Sequence, residues 1–312
     1  MGNEWKVIAS LLLAVIGLEM AARRWQGNVS KDVASLLALP DELRQWREED
    51  KFKVLIVGNS LARRGVDRQV FEHAGKKLAG RWKARGAKDR GISCLYFCPD
   101  SSSVTEWAWG LGRYFSQSED FPDLIVVVTA RGHLVDGPVS PGRLGAYLLG
   151  ENNFKEALKI RPDFESKLRL ILGRYSRLYA IRDRVRPNFG YRFLPGFAEA
   201  WPAVAADRRA IGADEGKSES NAAVGISSLK RLIDESKRMG APVYFVTVPL
   251  PEPYVLRAEV VELLEARNQT LLDLSDVEGI SAKDFPDGYH LDELGARVFT
   301  AALIDELAKA YP

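Results

Sequence analysis

Short, continuous apolar runs rich in β-branched residues alternate with longer stretches of helical periodicity along most of the chain. The runs predict five strands, Phe52–Val57, Ile92–Cys98, Leu124–Thr129, Pro242–Val248 and Thr270–Leu274. The helical patterns lie near Arg68–Arg85 and at Val104–Phe115, Gly225–Met239 and Asp292–Ala310. Because the strand runs do not alternate with polar residues, both faces of the sheet are predicted to be covered. The pattern therefore predicts an α/β fold, a three-layer α/β/α sandwich with a mostly parallel sheet.

A segment of roughly 110 residues separates the third and fourth strands, which is too long for an ordinary connection. We interpret it as a helical insertion over about 138–222. The stretch from Lys167 to Arg186 is basic and predicts a helix with one stripe, made of Leu168, Ile171, Leu172, Tyr175, Leu178, Tyr179 and Arg182. This helix packs on the core with a solvated face, or it forms a lid or a surface for anionic lipid headgroups or another membrane protein. Ile211–Asn221 is rich in Gly, Ser and charge and predicts a mobile loop.

The N-terminus carries a second long apolar run. Val7–Leu18 is apolar, Met20–Ala22 extends it past Glu19, and Trp5 and Trp25 flank it as interfacial aromatics do. The run is short for a membrane span, which needs about 20 residues, and long enough for the core of a signal peptide. Because no small-x-small cleavage site follows it, an uncleaved signal anchor is favoured over a cleaved signal or a soluble amphipathic helix.

These patterns divide the chain into a signal anchor over 1–28, a helical linker over 29–50 and an α/β domain over 51–312 that contains the insertion. Lys6 precedes the apolar run and Arg23 and Arg24 follow it, so the charge asymmetry sets the orientation only weakly. A signal anchor would place the globular part outside the cytoplasm.

Composition narrows the function classes. The 312 residues are 46% hydrophobic and carry a net charge of +2, which provides a large core and no basic excess for nucleic-acid binding. Cys94 and Cys98 lie four residues apart on one predicted strand, too far apart to pair with each other. We interpret both as buried strand residues, and they do not decide the redox compartment.

Two motifs carry candidate chemistry. Gly58-Asn59-Ser60 follows the first strand, so Ser60 lies at a strand-to-helix turn, and Asp287-Gly-Tyr-His290 precedes the last helix. A serine hydroxyl is a weak nucleophile that needs a base, and the base needs an orienting acid. Since the chain has only 3 histidines, few residues can be that base.

In this order on this sheet pattern, the motifs resemble the SGNH/GDSL hydrolase superfamily, and more narrowly its membrane-anchored cell-envelope branch. The resemblance covers roughly 52–136 and 225–310. It implies Ser60 as the nucleophile, His290 as the general base and Asp287 as its orienting acid. The Ser60 backbone N–H would then donate to the oxyanion. No metal or cofactor is implied.

The middle motifs depart from this family, which supplies a glycine after the second strand and an asparagine after the third as further oxyanion donors. Here the second strand leads into Cys98-Pro-Asp-Ser-Ser-Ser103 and the third into Thr129-Ala-Arg-Gly-His133. Arg131, or a hydroxyl or backbone N–H from Ser101, Ser102 or Ser103, is expected to substitute. Asn59 and His133 complete the candidate oxyanion and substrate-binding residues.

Each of these residues also has a purely structural interpretation. Ser60 can be a helix N-cap, and Asp287 and His290 can be a turn residue and a surface histidine. His133 is interpreted as structural or as a residue at the edge of the site, although a pair with Asp136 would make it an alternative base. His73 lies in a charged helix and is expected to face solvent.

Together with the apolar N-terminal run, the resemblance implies an O-acetyltransferase or acetylesterase in the inner membrane of a bacterial envelope, with a single pass and an extracytoplasmic domain. An acyl-Ser60 intermediate would pass its acyl group to water or to a sugar hydroxyl. The expected partners are a polysaccharide or acylated carbohydrate and an integral membrane O-acyltransferase. The alternatives are a catalytically altered polymer-binding or scaffold subunit and a secreted lipase or esterase.

Overall fold

The computed structural model of the chain describes residues 2–74, 91–115, 122–137, 139–161, 163–197, 199–200 and 225–310. The predicted loop Ile211–Asn221 and the second half of the helix predicted near Arg68–Arg85 lie outside these residues. The chain divides into two compact units, one from Met1–Leu37 and Ser140–Ala223, the other from Ala38–Val139 and Val224–Pro312.

The helices are α1 Gly2–Val29, α2 Lys31–Glu48, α3 Ser60–Gly65, α4 Val104–Tyr114, α5 Glu151–Lys159, α6 Phe164–Tyr175, α7 Arg177–Phe193, α8 Ser227–Met239, α9 Ala258–Ala266 and α10 Glu293–Ala310. The chain is also helical over 68–74. A helical turn Pro141–Arg143 continues into a π-helix, Leu144–Leu148, and a 3-10 turn covers Ala282–Asp284.

The second unit is built on a five-stranded parallel sheet, which confirms the predicted fold class. Its strands are β1 Phe52–Val57, β2 Ile92–Phe97, β3 Leu124–Thr129, β4 Val243–Thr247 and β5 Thr270–Leu272. Their order is β2-β1-β3-β4-β5, and every neighbouring pair is parallel. The central strands β1, β3 and β4 are therefore hydrogen-bonded on both sides.

Side chains alternate between the two faces of the sheet along each strand, and both faces are buried. On one face Val54, Ile56 and Val126 join a core that includes Phe299 and Leu303 of α10. The intervening strand residues of the other face are buried as well, and α4 and α8 pack against each other. Helices thus cover the sheet in the three-layer arrangement that the sequence predicts.

Two minor predictions can be checked within this unit. Cys94 and Cys98 are buried free thiols, as expected, and burial raises the pKa of both. His73 is exposed, also as expected, and its Nδ1 lies 2.8 Å from the Gln69 carbonyl oxygen.

The first unit joins α1 and the start of α2 to the helical insertion. Asp32 of α2 is buried and pairs with Arg143 and Arg184, at 3.3 Å from each. Within the described residues, α1 contains the one stretch, Glu4–Val29, that is long and apolar enough to cross a membrane.

The basic stretch from Lys167 to Arg186 was predicted to be a single helix, and this is wrong. The chain breaks at Ser176, which ends α6 in an extended conformation and accepts a hydrogen bond on Oγ from the Tyr179 N–H at 3.1 Å. Ser176 therefore caps α7, and the apolar stripe is divided between two helices.

Candidate active site

The strand order reverses between β1 and β3, because the chain leaves β1 toward β2 on one side and returns to β3 on the other. In open parallel sheets such a switch point forms a crevice outside the carboxyl ends of the strands, where ligands bind. Ser60 follows the end of β1 by three residues and therefore lies at this crevice. The loops after β2 and β3, which carry Ser101, Ser102, Arg131 and His133, end on the same edge.

Gly58 and Asn59 shape the turn that presents Ser60. A Cβ on Gly58 would lie 2.4 Å from the Ala62 Cβ, so no side chain fits there. Asn59 is the N-cap of α3, and its Oδ1 accepts from the Leu61 N–H at 2.9 Å. The alternative in which Ser60 itself caps the helix is therefore wrong, because Asn59 holds that position.

Ser60, His290 and Asp287 form a hydrogen-bonded relay. Ser60 Oγ lies 2.9 Å from His290 Nε2, and His290 Nδ1 lies 2.8 Å from Asp287 Oδ2. Asp287 Oδ1 also accepts from the backbone N–H groups of Tyr289 at 3.1 Å and His290 at 2.8 Å. Asp287 is thus a turn residue and an orienting acid at once. A carboxylate on Nδ1 favours the neutral tautomer in which Nε2 is unprotonated and can accept the serine proton.

Asp287 is held as a carboxylate. Burial raises its pKa, but hydrogen bonds from His290 and Tyr289 outweigh burial and hold the pKa well below its ordinary value. Arg64 adds an ion pair, with Nη1 at 2.9 Å from Asp287 Oδ2. Since Arg64 lies one helical turn after Ser60, α3 carries both the candidate nucleophile and a cation on the orienting acid.

Sequence reasoning missed Arg64. The two residues of the ion pair are 223 positions apart, and an arginine in an exposed helical turn has no distinctive signature. Its position four residues after Ser60, on the same side of α3, is the one signal that could have selected it.

The loop after β2 carries Ser101 and Ser102. Ser102 is buried, and its hydroxyl donates to the Pro99 carbonyl oxygen at 2.6 Å and accepts from Trp107 Nε1 at 2.7 Å. Ser101 is exposed and has a φ of 51°, in the left-handed region that glycine favours. The Ser102 hydroxyl is therefore committed to holding the loop, whereas Ser101 lies on its exposed rim.

Asn59 ties three loops of the site together. Besides capping α3, its Nδ2 lies 3.3 Å from the Ser102 carbonyl oxygen and 3.2 Å from His133 Nε2. Asn59 is buried, so these partners replace water. Its amide therefore organises the crevice and is directed at protein groups.

His133 lies after β3 with both ring nitrogens facing N–H donors. Its Nδ1 accepts from the Ala130 N–H at 3.3 Å, and Asn59 Nδ2 approaches Nε2. A neutral imidazole can accept at only one nitrogen, so one of these contacts is a weak one. Burial lowers the pKa of His133 to about 4, so the ring is neutral at pH 7. His133 is a neutral residue of the crevice wall.

The structure assigns another role to the conceivable His133 partner, Asp136. The Asp136 carboxylate accepts from Ser227 Oγ at 2.7 Å and from the backbone N–H groups of Ser227 at 2.9 Å and Ser228 at 2.8 Å. Asp136 thus caps the N-terminus of α8. The interpretation of His133 and Asp136 as a catalytic pair is therefore wrong.

Arg131 and Tyr289 border the relay. Arg131 is exposed, has a φ of 38° and pairs with Glu252 at 3.3 Å. Tyr289 is 40% exposed, and the partial burial of its ring raises the pKa of the hydroxyl, an effect that the charge of Arg131 opposes. The Tyr289 ring lies edge-on to the His290 ring, with their centroids 5.0 Å apart. Positive φ at both Ser101 and Arg131 marks local backbone strain at the crevice, a feature that clusters at functional sites.

No protein-family model matches the chain, and no curated protein matches it. Among solved structures, TesA is 12% identical, with 82% of this chain and 97% of that chain covered and a TM-score of 0.35. A mutant of the esterase AlinE4 is 14% identical, with 84% and 97% covered and a TM-score of 0.28. Similarities this weak identify neither a family nor an activity.

Proposed function

We propose that the protein is a serine-dependent acyl-transfer enzyme of the SGNH type. The observation that carries this proposal is the relay from Ser60 Oγ to His290 Nε2 at 2.9 Å and from His290 Nδ1 to Asp287 at 2.8 Å. The relay lies at the switch point of a parallel sheet, where such folds bind ligands. A serine within hydrogen-bond reach of a histidine that is itself oriented by a carboxylate is the arrangement that nucleophilic catalysis needs.

In the proposed reaction, His290 Nε2 accepts the Ser60 proton while Oγ attacks the carbonyl carbon of an ester. The tetrahedral intermediate collapses to acyl-Ser60, and the leaving alkoxide takes the proton from His290. Water or a sugar hydroxyl then gives its proton to His290 and attacks the acyl carbon. As the second tetrahedral intermediate collapses, His290 returns this proton to the departing Ser60 Oγ, which frees Ser60 and yields a free acid or a new ester. Asp287 stays ionised and stabilises the imidazolium in both steps.

The oxyanion is proposed to bind backbone N–H groups of the crevice, with Ser60 as the first donor. The hydroxyl of Ser102 and the amide of Asn59 already have protein partners. Arg131 is available as a cation, because its ion pair with Glu252 is exposed and weak. Any preorganised donor at the right position can serve an oxyanion.

For substrate and location, we infer a short acyl ester on an extracytoplasmic polysaccharide. The apolar stretch of α1 supports a single-pass anchor in the inner membrane of a bacterial envelope. Ser101, Arg131 and Tyr289 are exposed around the relay, which suits a polymer that passes over the site. An integral membrane O-acyltransferase is the partner proposed to supply acyl groups when transfer is the outcome.

A fluorophosphonate probe tests the nucleophile. It is expected to label the full-length protein on Ser60, with the site mapped by mass spectrometry. Ser60→Ala should abolish labelling and hydrolysis of a p-nitrophenyl acetate reporter, whereas Ser275→Ala, a serine of another loop, should retain both. Labelling of Ser60→Ala at the wild-type level would refute the proposal.

The rival function is a scaffold or polymer-binding subunit. The side chains of Asn59 and Ser102 are hydrogen-bonded to protein groups, which leaves fewer donors for an oxyanion and so favours the scaffold function. A scaffold predicts no probe labelling and no change in polymer acetylation in a Ser60→Ala strain, whereas deletion of the whole protein would change acetylation. An enzyme predicts that the point variant and the deletion behave alike.

A further inference from the structure

Helix α6 exposes an apolar face, defined by Phe164, Leu168, Ile171, Leu172 and Tyr175. Their exposed fractions are 79%, 40%, 37%, 39% and 67%. At 3.6 residues per turn, these five positions fall within an arc of about 100°. Large apolar side chains gathered on one side of a helix mark an interaction surface, whereas scattered ones do not.

The opposite side of α6 is locked into the first unit. Leu170 and Gly173 are buried there. A Cβ on Gly173 would lie 2.4 Å from the Pro141 carbonyl oxygen, and one on Gly145 would lie 2.7 Å from the Leu170 carbonyl oxygen. Backbones in such close contact allow no rotation of α6 about its axis. The α6 face therefore points away from the unit.

The exposure of α1 shows where a bilayer would end. Every side chain from Glu4 to Leu18 is exposed, and Glu19 is the first that packs against the unit. This exposed stretch is about 22 Å long, shorter than the hydrocarbon core of about 30 Å. Trp5 and Trp25 are about 30 Å apart along the helix, which matches that core. A bilayer that covers the apolar run therefore reaches the level of Glu19 to Trp25.

The end of α6 is fixed at this level by polar contacts to α1. Arg23 donates to the Tyr175 carbonyl oxygen at 2.8 Å. Glu19 accepts from Ser176 Oγ at 2.9 Å and from the N–H groups of Arg177 at 2.8 Å and Leu178 at 3.1 Å. The last residue of the α6 face thus adjoins the part of α1 that the headgroup layer would surround.

The charge of the neighbouring chain suits an anionic surface. Residues 151–193 hold eleven Lys and Arg against five Asp and Glu, while the whole chain carries only +2. Lys167 and Arg174 border the α6 face along one side of the helix. Basic residues beside an apolar face are typical of helices that lie in the membrane interface.

We propose that the α6 face contacts the interfacial layer of a bilayer containing anionic phospholipid. This inference rests on the proposed anchoring by α1. It gives the first unit a second membrane contact, which fixes the tilt and rotation of the unit on the membrane.

Full-length protein reconstituted into phosphatidylcholine–phosphatidylglycerol vesicles tests this placement. An environment-sensitive fluorophore is attached to single introduced cysteines, Leu168→Cys and Ile171→Cys on the face, Arg169→Cys on the polar flank and Leu12→Cys in α1. Labels at 168 and 171 should be quenched by shallow doxyl lipids and be several-fold less accessible to iodide than the label at 169. Their protection should rise with the phosphatidylglycerol fraction. The label at 12 should be quenched by deep doxyl lipids at every composition.

Equal iodide access at 168, 169 and 171, with the label at 12 still quenched, would overturn the inference and leave the anchor intact. An unquenched label at 12 would overturn the anchoring, and the inference with it. Labels at 168 and 171 that are protected in native membrane vesicles and accessible in pure lipid would also overturn it, in favour of a protein partner. Fluorophosphonate labelling of Ser60 is independent of all these outcomes.

Discussion

Arg64 and His290 share one oxygen of Asp287, and this has two opposing consequences. The Arg64 hydrogen bond fixes the carboxylate in the orientation that receives His290 Nδ1. Its charge, however, weakens the field with which Asp287 stabilises an imidazolium. Because both partners of the Arg64–Asp287 pair are about half exposed, solvent screens the charge more than it disturbs the geometry. We therefore expect the positioning effect to dominate.

Arg64→Ala should lower kcat/KM by about two- to fivefold, the size of an exposed ion pair. Arg44→Ala is the control, since Arg44 forms a more exposed ion pair with Asp41 on α2. Hydrolysis of p-nitrophenyl acetate measures all three proteins. A rate increase in Arg64→Ala would show that charge competition dominates instead.

His133 makes stability depend on pH. Its folded pKa of about 4 lies below the unfolded value of 6.5, so the unfolded chain binds the proton first as pH falls. The free energy of unfolding should therefore decrease between pH 6.5 and 4, by roughly 3 kcal/mol at most, and show no further His133 effect below pH 4. His133→Gln removes this dependence.

Urea unfolding of the detergent-solubilised protein from pH 7 to 4 measures the effect. The wild-type curve should fall more steeply than that of His133→Gln, whatever the absolute stability of the variant. His73→Gln is the control, because His73 is exposed and should leave the slope unchanged. Parallel curves for wild type and His133→Gln would contradict the prediction.

At the site, the sequence predicts the residues that belong to short motifs, and it does not show the hydrogen-bond partners that depend on how the loops pack together. The contact of Ser60 with His290 and Asp287 was predictable because nucleophilic chemistry at a serine needs those residue types, and each lies at a short, recognisable turn. The Ser102 hydroxyl was predicted as a donor because sequence does not show that Pro99 and Trp107 already occupy it. Such commitments depend on how loops meet and not on residue type.

At the scale of elements, two helices are capped at the N-terminus by the carboxylate of a residue far away in the sequence. Glu19 of α1 accepts from the first turn of α7, and Asp136 of the β3 loop accepts from the first turn of α8. The N-cap position of α8, Ile226, has no side-chain cap of its own. Carboxylates at helix N-termini accept hydrogen bonds from the free N–H groups and interact favourably with the helix dipole. Both contacts therefore couple helix formation to tertiary structure.

Asp136→Asn should reduce the free energy of unfolding by about 1 to 2 kcal/mol at pH 7, the size of a lost cap. Burial raises the pKa of Asp136, but hydrogen bonds from Ser228 and Ser227 outweigh it and lower the pKa below 3.8. The stabilisation is thus present above about pH 4 and is lost as pH falls through the lower folded value.

Urea midpoints at pH 7 and pH 3 test this cap. The difference between wild type and Asp136→Asn should shrink at the lower pH. Asp305→Asn, an exposed change on α10, should alter the midpoint at neither pH. If the urea midpoint of Asp136→Asn lies below that of wild type by the same amount at both pH values, the prediction is wrong, and the loss comes from altered hydrogen-bond geometry and not from the lost charge.

Strands and most helices of the α/β unit were predictable because each has its own pattern. Buried parallel strands are continuous apolar runs, and α8 and α10 follow helical periodicity. The break at Ser176 was not predictable, because Leu168–Arg182 keeps a helical pattern across it. At the break, the Ser176 hydroxyl donates a hydrogen bond to Glu19, which lies 157 residues away in the sequence.

At the scale of the whole molecule, α1 belongs to a folded unit as well as being a candidate anchor. Its residues Glu19 and Arg23 contact the α6–α7 junction, and Gln26 accepts from the Tyr147 hydroxyl at 2.8 Å. Cleavage after Ala22, where the apolar run ends, would remove Glu19 and leave the first N–H groups of α7 without its carboxylate, whereas Arg23 and Gln26 would remain. We therefore expect α1 to be retained in the mature protein.

Retention of α1 is the prediction that follows. Protein extracted from bacterial membranes should have the full mass of 34.7 kDa, stay in the pellet after alkaline carbonate washing and leave it only with detergent. An alkaline phosphatase fused after α10 should be active only outside the cytoplasm.

Leu11→Arg with Leu12→Arg, in the fully exposed stretch, should prevent membrane retention because charges at the bilayer centre are costly. The control is Asp305→Arg with Ala301→Arg, at two exposed sites of α10, and it should leave membrane retention unchanged. A shorter mature chain would show instead that the contacts of Glu19 form only before processing.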